Sequence, residues 1–596
     1  MSINSEAVMA VALFVSVASV CWSAAYAWAK WLQHTRRRDT PGMEHRLEEI
    51  QRAIDTVAVE VERLGAQNFD VMETTISAVH SAMDARRLTC RQLVQAYLDR
   101  IAAYDKTAAG LALNSIQTVN PRALAEADSL DAVFRARQPR GRLHCVPVVL
   151  KDQVETKDMP TTYGSALFKE FVPKRDATIV QRLHAAGAII IAKSTMGEFA
   201  AWHVSSAAGI IRNAYDPTRH PSGSSSGSGA AIAANFGLVG IGEDTGGSIR
   251  GPAAVHSLVG LRPTLPLVSR FGMMPANPTQ DTMGPMTRTV ADAARVLDVI
   301  AGYDPNDPVT AYSVGQIPSS YAAALKPDAL RGARIGILRV RRRRGGAATD
   351  SSVAADSART PAERAAADST RRDSLARDSV EFAKVRPVFA RAVTQLKALG
   401  AEVVDSVNID AGGPRFRNNF ETEEATDRYL AQHPNAPYKT LKEILLAGGV
   451  NSERARALIG LVGHSTSEPG FGTLLQNREA LRIEILKLMA DQKLDAIIYA
   501  TFDAPPSVIP ANILTMPRAF SSYGYSRGDN RNLSPAISWP ALTVPMGFTS
   551  DSLPAGLEFL GRPFTEAKLL GFAYAYEQAT KLRRPPRTTP PLALAR

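Results

Sequence analysis

Three short segments of this chain place hydroxyls, glycines and one lysine where acyl-transfer chemistry needs them. The first is a Gly/Ser-rich run, PSGSSSGSG at 221–229; the second is EDTGGSIR at 243–250, about one helix and one strand further on. The third, CVPVVLKD at 145–152, has the pattern of a buried strand that ends in Lys151. A fold that brings these segments together has a nucleophile, a proton relay, a base and backbone donors for an oxyanion.

The composition excludes several other classes of protein. Apolar residues make up 45% of the 596 residues and charged residues 21%, which is typical of a globular protein. Much of the net charge of +11 comes from short arginine runs such as 341–344. No aromatic-interleaved basic motif accompanies them, so we predict no nucleic-acid binding. Cys21, Cys90 and Cys145 form no CxxC pair, and we predict neither a metal site nor a disulfide scaffold.

The N-terminus has the features of a membrane anchor. Residues 7–29 carry no charge and are long enough to span a bilayer. Lysine and arginine follow this segment, which predicts an anchor over residues 1–33 with the catalytic domain on the cytoplasmic side. A cleaved signal sequence, with Ala-Tyr-Ala at 25–27 as its processing site, remains the alternative and would export the rest of the chain.

A heptad pattern follows in a basic juxtamembrane segment, residues 34–69. Apolar residues recur at alternating spacings of four and three from Met43 to Leu64. The pattern predicts a helix that either joins copies of the chain as a short coiled coil, giving a homo-oligomer, or packs on the catalytic domain.

From about residue 70 to residue 585, strand-like runs alternate with helical patterns. The predicted strands are 145–150, 188–192, 238–242, 334–338, 402–405, 495–500 and 541–546. The predicted helices are 177–186, 226–236, 289–301, 386–399 and 564–581, with a further helix capped by Thr89. The alternation predicts an α/β fold, a mixed central β-sheet flanked by helices on both faces.

Two segments of this part of the chain have a different composition. Residues 341–380 are rich in Ala, Ser, Asp and Arg and almost free of large apolar residues. Such a segment cannot bury enough surface to offset its ordering entropy, so we predict a disordered insertion there. Residues 586–596 form a C-terminal tail.

The residues alone leave the choice of nucleophile and base open. Gly223 to Gly227 match the G-x-S-x-G nucleophile elbow, which would make Ser225 the nucleophile. The residues before it form no hydrophobic strand, which counts against that interpretation. His144 is the histidine nearest in sequence to Lys151, and a desolvated lysine such as Lys151 can also act as a base.

The three segments together resemble the amidase signature family. The resemblance extends through GPAA at 251–254, VGLRPT at 259–264, GPMTRTVADA at 284–293 and LTVPMGF at 542–548. The run SSSGSG at 224–229 and the segment YAYEQAT at 574–580 are most similar to the peptide-amidase-like branch. Ser222 and Ser226 stand where glycine is common in the family.

The resemblance implies a Ser–cis-Ser–Lys triad without metal or cofactor. Ser248 matches the nucleophile, Ser224 the bridging serine after a cis peptide bond, and Lys151 the base. Backbone N–H groups of the oxyanion segment match Thr245, Gly246, Gly247 and Ser248. The residues that hold this loop match Asp244 and Arg250.

The implied activity is hydrolysis of a small-molecule, peptide, fatty or aryl amide, an enzyme of the linear-amide hydrolase class. The alternative is the glutaminase-type subunit of an amidotransferase complex, since the family includes that chain. A catalytically dead, membrane-tethered binding protein is a third interpretation, and the intact triad argues against it. The substrate pocket is expected from 195–212, 420–470 and 503–532.

Overall fold

A mixed β-sheet of eleven strands forms the centre of the computed structural model, which describes residues 69–106, 111–340, 361–409, 418–514 and 531–592. The strands in these residues are β1 (Ile116–Val119), β2 (Pro147–Lys151), β3 (Ile189–Ser194), β4 (Val204–Ser205), β5 (Gly209–Ile210), β6 (Val239–Asp244), β7 (Val259–Arg262), β8 (Thr282–Thr287), β9 (Arg334–Val340), β10 (Glu402–Ile409), β11 (Ala496–Ala500), β12 (Ala541–Phe548) and β13 (Pro554–Leu560). The order across the large sheet is β1-β3-β2-β6-β8-β7-β12-β13-β11-β9-β10, and β4 pairs with β5 separately.

Strand β2 lies between two parallel neighbours. It pairs with β3 and with β6 in the same direction, and every residue of these three strands is buried. Their near-continuous apolar sequences are typical of parallel strands that are covered on both faces. The carboxyl ends of β2 and β6 therefore meet at one edge of the sheet, which is where Lys151 and Asp244 lie.

Helices flank the sheet. They are α1 (Ile76–Asp84), α2 (Cys90–Tyr104), α3 (Ala123–Arg135), α4 (Thr178–Ala185), α5 (Ser226–Ala233), α6 (Arg250–Ala254), α7 (Val290–Ile300), α8 (Pro361–Ala398), α9 (Thr422–Ala431), α10 (Leu441–Leu446), α11 (Ser452–Ile459), α12 (Pro469–Asp491), α13 (Leu533–Ile537) and α14 (Glu566–Thr580). Helix α5 packs against β2 and β6, and α14 packs against β12. The predicted α/β architecture with a mixed sheet and flanking helices is confirmed.

Helix α2 begins at the predicted capping box. The Thr89 hydroxyl accepts the Gln92 N–H at 3.2 Å, and the Gln92 side chain accepts the Thr89 N–H at 2.9 Å. Both bonds satisfy N–H groups that a helix N-terminus leaves without a partner. Leu93 and Tyr97 lie one helical turn apart on this helix, and both residues are fully buried.

The prediction of a disordered insertion over 341–380 is wrong for its second half. Residues from 361 onward belong to α8, which runs from Pro361 to Ala398. The segment is rich in alanine and arginine, which have high intrinsic helix propensity, so it can extend a helix without supplying a core of its own. Residues 341–360 lie outside the described residues.

The N-terminal predictions also fall outside the described part of the chain. Neither the segment 7–29 nor the heptad pattern from 43 to 64 is described, and these remain predictions. Within the described residues, none of the helices has both the length and the apolar character needed to cross a bilayer. The compact unit that contains the sheet begins at Phe69.

Two cysteines contradict the prediction of no disulfide. Cys90, at the first position of α2, and Cys145, just before β2, are both fully buried and form a disulfide with their Cα atoms 5.3 Å apart. They are 55 residues apart in the sequence. Spacing rules for cysteine clusters do not detect a pair that only the packing of α2 beside the start of β2 brings together.

Candidate active site

Lys151 and Ser224 meet in the interior of the protein. The Lys151 Nζ lies 2.8 Å from the Ser224 Oγ, and neither residue is exposed to solvent. Lys151 is the last residue of β2, and Ser224 precedes helix α5, which packs on that strand. The sequence places a base and a hydroxyl on separate segments, and the packing of α5 on β2 joins them.

The turn before α5 gives Ser224 its position. The peptide bond between Gly223 and Ser224 is cis, as the resemblance implied. The Ser224 carbonyl accepts the Gly197 N–H at 3.1 Å. A Cβ on residue 223 would collide with the Trp202 carbonyl, so this close approach of two backbones requires glycine. Ser222 has φ of 62°, in the region that favours the glycine common in the family.

Ser225 cannot be the nucleophile of an elbow. It is fully buried, its hydroxyl donates to the Glu243 carbonyl at 3.1 Å, and the same hydroxyl accepts the Glu243 N–H at 3.3 Å. Both contacts fasten the start of α5 to the end of β6. The oxygen is therefore committed to the backbone, and the elbow interpretation is excluded.

Ser248 lies on the neighbouring turn, between β6 and α6. Its carbonyl accepts the Ser225 N–H at 3.3 Å, which links this turn to the one that carries Ser224. Ser248 is 9% exposed, whereas Lys151 and Ser224 are fully buried. Among the described residues no hydrogen bond joins the Ser248 hydroxyl to Ser224. Ser248 is thus the least buried of the three residues.

The predicted oxyanion segment is only partly available. The Gly247 N–H donates to Asp244 Oδ1 at 2.7 Å and is engaged within the loop in this structure, so its place in the oxyanion hole stays a prediction. Gly247 has φ of 110°, a conformation that glycine adopts without strain. The backbone N–H groups of Thr245, Gly246 and Ser248 remain candidates for the oxyanion hole.

Asp244 and Arg250 hold this turn together. Arg250 donates to the two Asp244 carboxylate oxygens at 3.2 and 3.3 Å, and both residues are fully buried. Asp244 also accepts the N–H of Ile249 at 3.1 Å and pairs with Arg262 at 3.3 Å. Burial alone would raise the pKa of Asp244, but Arg250 and Arg262 outweigh it and hold that pKa well below the ordinary value. Asp244 is therefore a carboxylate at neutral pH, as its loop-supporting position requires.

The surroundings of Lys151 favour an uncharged amine. Burial lowers the pKa of Lys151 below its ordinary value, and the charge of Glu243 opposes part of that shift. Desolvation disfavours the ammonium form because the charged group loses its water. Burial therefore makes the uncharged form of Lys151, which can accept a proton, more accessible than it is for a solvated lysine.

Several buried charged residues near the site were not found by sequence analysis. Glu243 contacts Lys151, Arg262 donates to the Asp244 carbonyl, and Glu558 receives a hydrogen bond from Arg250. Lys193 lies 3.5 Å from Asp152 and 2.8 Å from the Thr161 hydroxyl. Glu558 and Lys193 lie in strands whose other residues are mainly apolar. The charged partners of these two residues can be identified only once the order of the strands in the sheet is known. Of these residues, only Glu243 could have been found from the sequence, because it adjoins the recognised motif.

His144 does not take part in the relay. It is buried beside the ring of Phe134, and burial lowers the pKa of its imidazole to about 4. Its ring nitrogen and the sulfur atoms of Cys90 and Cys145 lie within 4.8 Å of one another. The two sulfurs are joined as a disulfide, so they offer no thiolates to a metal ion in this state.

A small pocket, with a cavity volume of about 20 Å³, lies beside Gln153, two residues after the lysine end of β2. Its lining comes from two of the three predicted segments: Met196, Phe199, Ala200, Thr422, Thr426, Leu441, Arg454 and Leu458. Gln153, Tyr163 and the consecutive residues Met274, Pro275 and Ala276 complete the lining. In the third predicted segment, residues 515–530 lie outside the described part. The described lining is mainly apolar, although a cavity of this size is well below the range of about 300–1,000 Å³ that is typical of organic-ligand sites.

The chain matches a family described as Amidase over residues 92–363. A probable amidase of Arabidopsis thaliana is 31% identical over 546 residues, which cover 88% of this chain and 93% of the relative. A glutamyl-tRNA(Gln) amidotransferase chain of Acaryochloris marina is 32% identical over 527 residues, covering 85% and 98%.

Solved structures give the same result. The native peptide amidase of Stenotrophomonas maltophilia superposes with a TM-score of 0.72 at 34% identity, covering 87% of this chain and 99% of that chain. An amidase family protein from Bacillus anthracis superposes with a TM-score of 0.72 at 29% identity, covering 89% and 95%.

Proposed function

This chain belongs to the amidase signature family and is an amide hydrolase, and we propose that Ser248 is its nucleophile, Ser224 its proton relay and Lys151 its base. The observation that carries this proposal is the 2.8 Å contact between the Lys151 amine and the Ser224 hydroxyl in a water-excluded interior. A buried lysine in its uncharged form can deprotonate a serine, which is a poor nucleophile without such help.

The first half of the reaction forms an acyl-enzyme. The Ser248 oxygen attacks the amide carbonyl, its proton passes to Ser224, and the Ser224 proton passes to the Lys151 amine. The negative oxygen of the tetrahedral intermediate is stabilised by backbone N–H groups from Thr245, Gly246 and Ser248. The proton then returns through Ser224 to the leaving nitrogen, which departs as a neutral amine or ammonia.

The second half repeats the same transfers with water. Water attacks the Ser248 ester, one of its protons follows the relay to Lys151, and collapse of the intermediate returns a proton to the Ser248 oxygen. The products are a carboxylic acid and the free enzyme. Each proton that the amine accepts in a half-reaction is given back within that half, so the resting state is regenerated.

The pocket supports a substrate with an apolar acyl part. Tyr163, Phe199 and Leu458 contribute rings and methyl groups to it, and Arg454 contributes a guanidinium. The similarity to a peptide amidase supports a peptide or aryl amide rather than an ester as the preferred substrate. We expect activity on carboxyl-terminal peptide amides and on p-nitroanilides.

The experiment compares three variants of the full chain on a p-nitroanilide. Ser248→Ala and Lys151→Ala should lose turnover, while Ser225→Ala should keep activity within about tenfold of wild type, since that hydroxyl bonds only to backbone. A fluorophosphonate probe should label wild type and not Ser248→Ala. Wild-type rates in Lys151→Ala would refute the relay, and loss of activity in Ser225→Ala alone would restore the elbow.

The amidotransferase relatives support one alternative, a glutaminase chain that supplies ammonia to a partner. Such a chain should hydrolyse free glutamine and co-purify with a second protein. Turnover of p-nitroanilides by the purified single chain, without glutaminase activity, counts against this alternative.

The disulfide supports the exported alternative for the location of the catalytic unit. Disulfides persist in oxidising compartments and are rare in the cytosol, and Cys90 and Cys145 are paired in the interior. We therefore propose that this unit lies outside the cytoplasm, either released or held by residues 7–29. A membrane-impermeant protease applied to intact cells should cleave it, and full protection would contradict this placement.

A further inference from the structure

The Lys151 amine has a second polar neighbour besides Ser224. Glu243 Oε2 lies 2.8 Å from the Nζ, and the Glu243 carbonyl oxygen lies 3.3 Å from it. Both side chains are fully buried. The remaining carboxylate oxygen, Oε1, accepts the Thr245 hydroxyl at 2.7 Å. The carboxylate is therefore fixed through both oxygens at the end of β6, beside the end of β2.

Three oxygens thus surround one nitrogen: an ammonium group can donate to all three, and an uncharged amine can donate to two of them and accept from the third. A neutral amine has two N–H hydrogens and one lone pair. The two Glu243 oxygens can accept the hydrogens, which leaves the lone pair for the Ser224 hydroxyl at 2.8 Å. An ammonium group would have to donate a third hydrogen to Ser224 and could accept nothing from it.

Other charged groups face this pair from neighbouring segments. Asp244 follows Glu243 on β6, and Asp281 lies before β8; both favour the ammonium form of Lys151. Burial raises the pKa of the Asp281 carboxyl to about 7, with the charge of Glu243 adding to the rise. Arg262 on β7 faces Glu243 and Asp281. Of these groups, Glu243 is the one that contacts the amine.

We infer that Glu243 is a positioning residue of the relay: its carboxylate and carbonyl oxygens orient the Lys151 lone pair toward Ser224, and its charge sets the pH at which that lone pair appears. The inference rests on the proposed role of Lys151 as base. When the pH rises, the Lys151 ammonium group loses a proton to solvent, and the uncharged amine can then accept a proton from Ser224. A negative charge at 2.8 Å retains that proton, so it moves the onset of activity to higher pH.

The experiment measures kcat/KM for a p-nitroanilide against pH in the full chain. Glu243→Gln keeps the shape of the side chain and one acceptor oxygen but removes the charge. Its ascending limb should lie at lower pH than that of wild type by about one unit or more, the range for an opposite charge in contact. A role in structure alone would change the height of the profile and leave the limb in place.

Asp152→Asn is the matched control. It removes another fully buried carboxylate, which pairs with Lys193 instead of Lys151. Its ascending limb should coincide with that of wild type. The inference is overturned if the ascending limb of Glu243→Gln coincides with that of wild type. It is also overturned if Asp152→Asn moves the ascending limb by the same amount as Glu243→Gln.

Glu243→Asp keeps the test decisive if the glutamine variant does not fold. The charge stays but the shorter side chain withdraws the oxygen, so kcat should fall about tenfold or more while the limb stays within about half a unit. A wild-type kcat overturns the positioning role. These outcomes are separate from the proposed function, which is refuted by wild-type rates in Lys151→Ala or in Ser224→Ala, or by fluorophosphonate labelling of Ser248→Ala.

Discussion

Replacing Arg250 by methionine tests the ion-pair network that holds the 243–250 turn. The buried guanidinium donates to Asp244 at 3.2 and 3.3 Å, to the Arg531 carbonyl at 2.8 Å and to Glu558. Methionine replaces the apolar stem and donates nothing, so two fully buried carboxylates lose a partner. Removing one member of a buried ion pair costs about 3–5 kcal/mol. We expect the free energy of unfolding to fall by that amount.

The two carboxylates contribute unequally to this loss. Asp244 keeps Arg262 and two backbone N–H donors. Within the described residues, Glu558 keeps only the Tyr499 hydroxyl at 2.9 Å. Most of the loss therefore arises at Glu558, and the double variant Arg250→Met/Glu558→Gln should recover more than half of it.

The loss should depend on pH. Burial raises the pKa of Glu558, and Arg250 opposes that rise. Without Arg250, the pKa in the folded state lies further above the unfolded value of about 4.3. The ionised carboxyl then disfavours folding at high pH, and this cost disappears as the pH falls below the unfolded value. The difference between variant and wild type should thus be largest near pH 8 and smaller toward pH 4.

Urea unfolding followed by circular dichroism at several pH values measures these quantities. A loss below about 1 kcal/mol at pH 8 would refute the reasoning, because an isolated buried carboxylate costs more than that. A double variant no more stable than the single one would equally show that Glu558 is not the group left without a partner.

Three further predictions concern the relay, the disulfide and the pocket. Ser224→Ala should lower kcat by about 10²–10⁴-fold, the usual contribution of a proton-transfer group. Its free energy of unfolding should change by about 1 kcal/mol. A wild-type kcat in steady-state kinetics would contradict this prediction. Reducing the disulfide between Cys90 and Cys145, which closes a span of 55 residues, should lower stability by about 4 kcal/mol; equal unfolding midpoints with and without reductant, or for Cys90→Ser, would contradict it. Thr426→Phe should narrow the pocket and raise KM about tenfold or more for amides with a large acyl group but not for an acetamide; a uniform change for both substrates would show that this pocket does not bind the acyl group.

The central strands could be predicted from the sequence because local patterns define them. Strands β2, β3 and β6 are continuous apolar runs, and the glycines around Ser224 and Ser248 mark tight turns. Strands that pair in parallel have their carboxyl ends at the same edge of the sheet, so the proximity of the ends of these strands could also be predicted. The resemblance to a family then named the triad, which spacing alone left open.

What the sequence did not predict depends on contacts between distant segments. Strands β7 and β8 are short or interrupted by glycine and proline, so their alternation is too weak to detect. The pairing of Cys90 with Cys145 and of Arg250 with Glu558 requires knowledge of which elements are neighbours. The availability of the Gly247 N–H depends on the position of the Asp244 side chain, which no sequence pattern reports.

Helix α5 has no face toward solvent, since all eight of its residues are buried and isoleucine is the largest of them. It touches β2, β3, β6 and β8 at once, so a substitution on any side of it displaces a strand that carries or borders the catalytic groups. Evolution toward new substrates has little freedom in such a helix. Changes in specificity should accumulate instead in helices α9 to α11, which contribute residues to the lining of the pocket. These helices are not part of the sheet, so their residues can vary without displacing the catalytic groups.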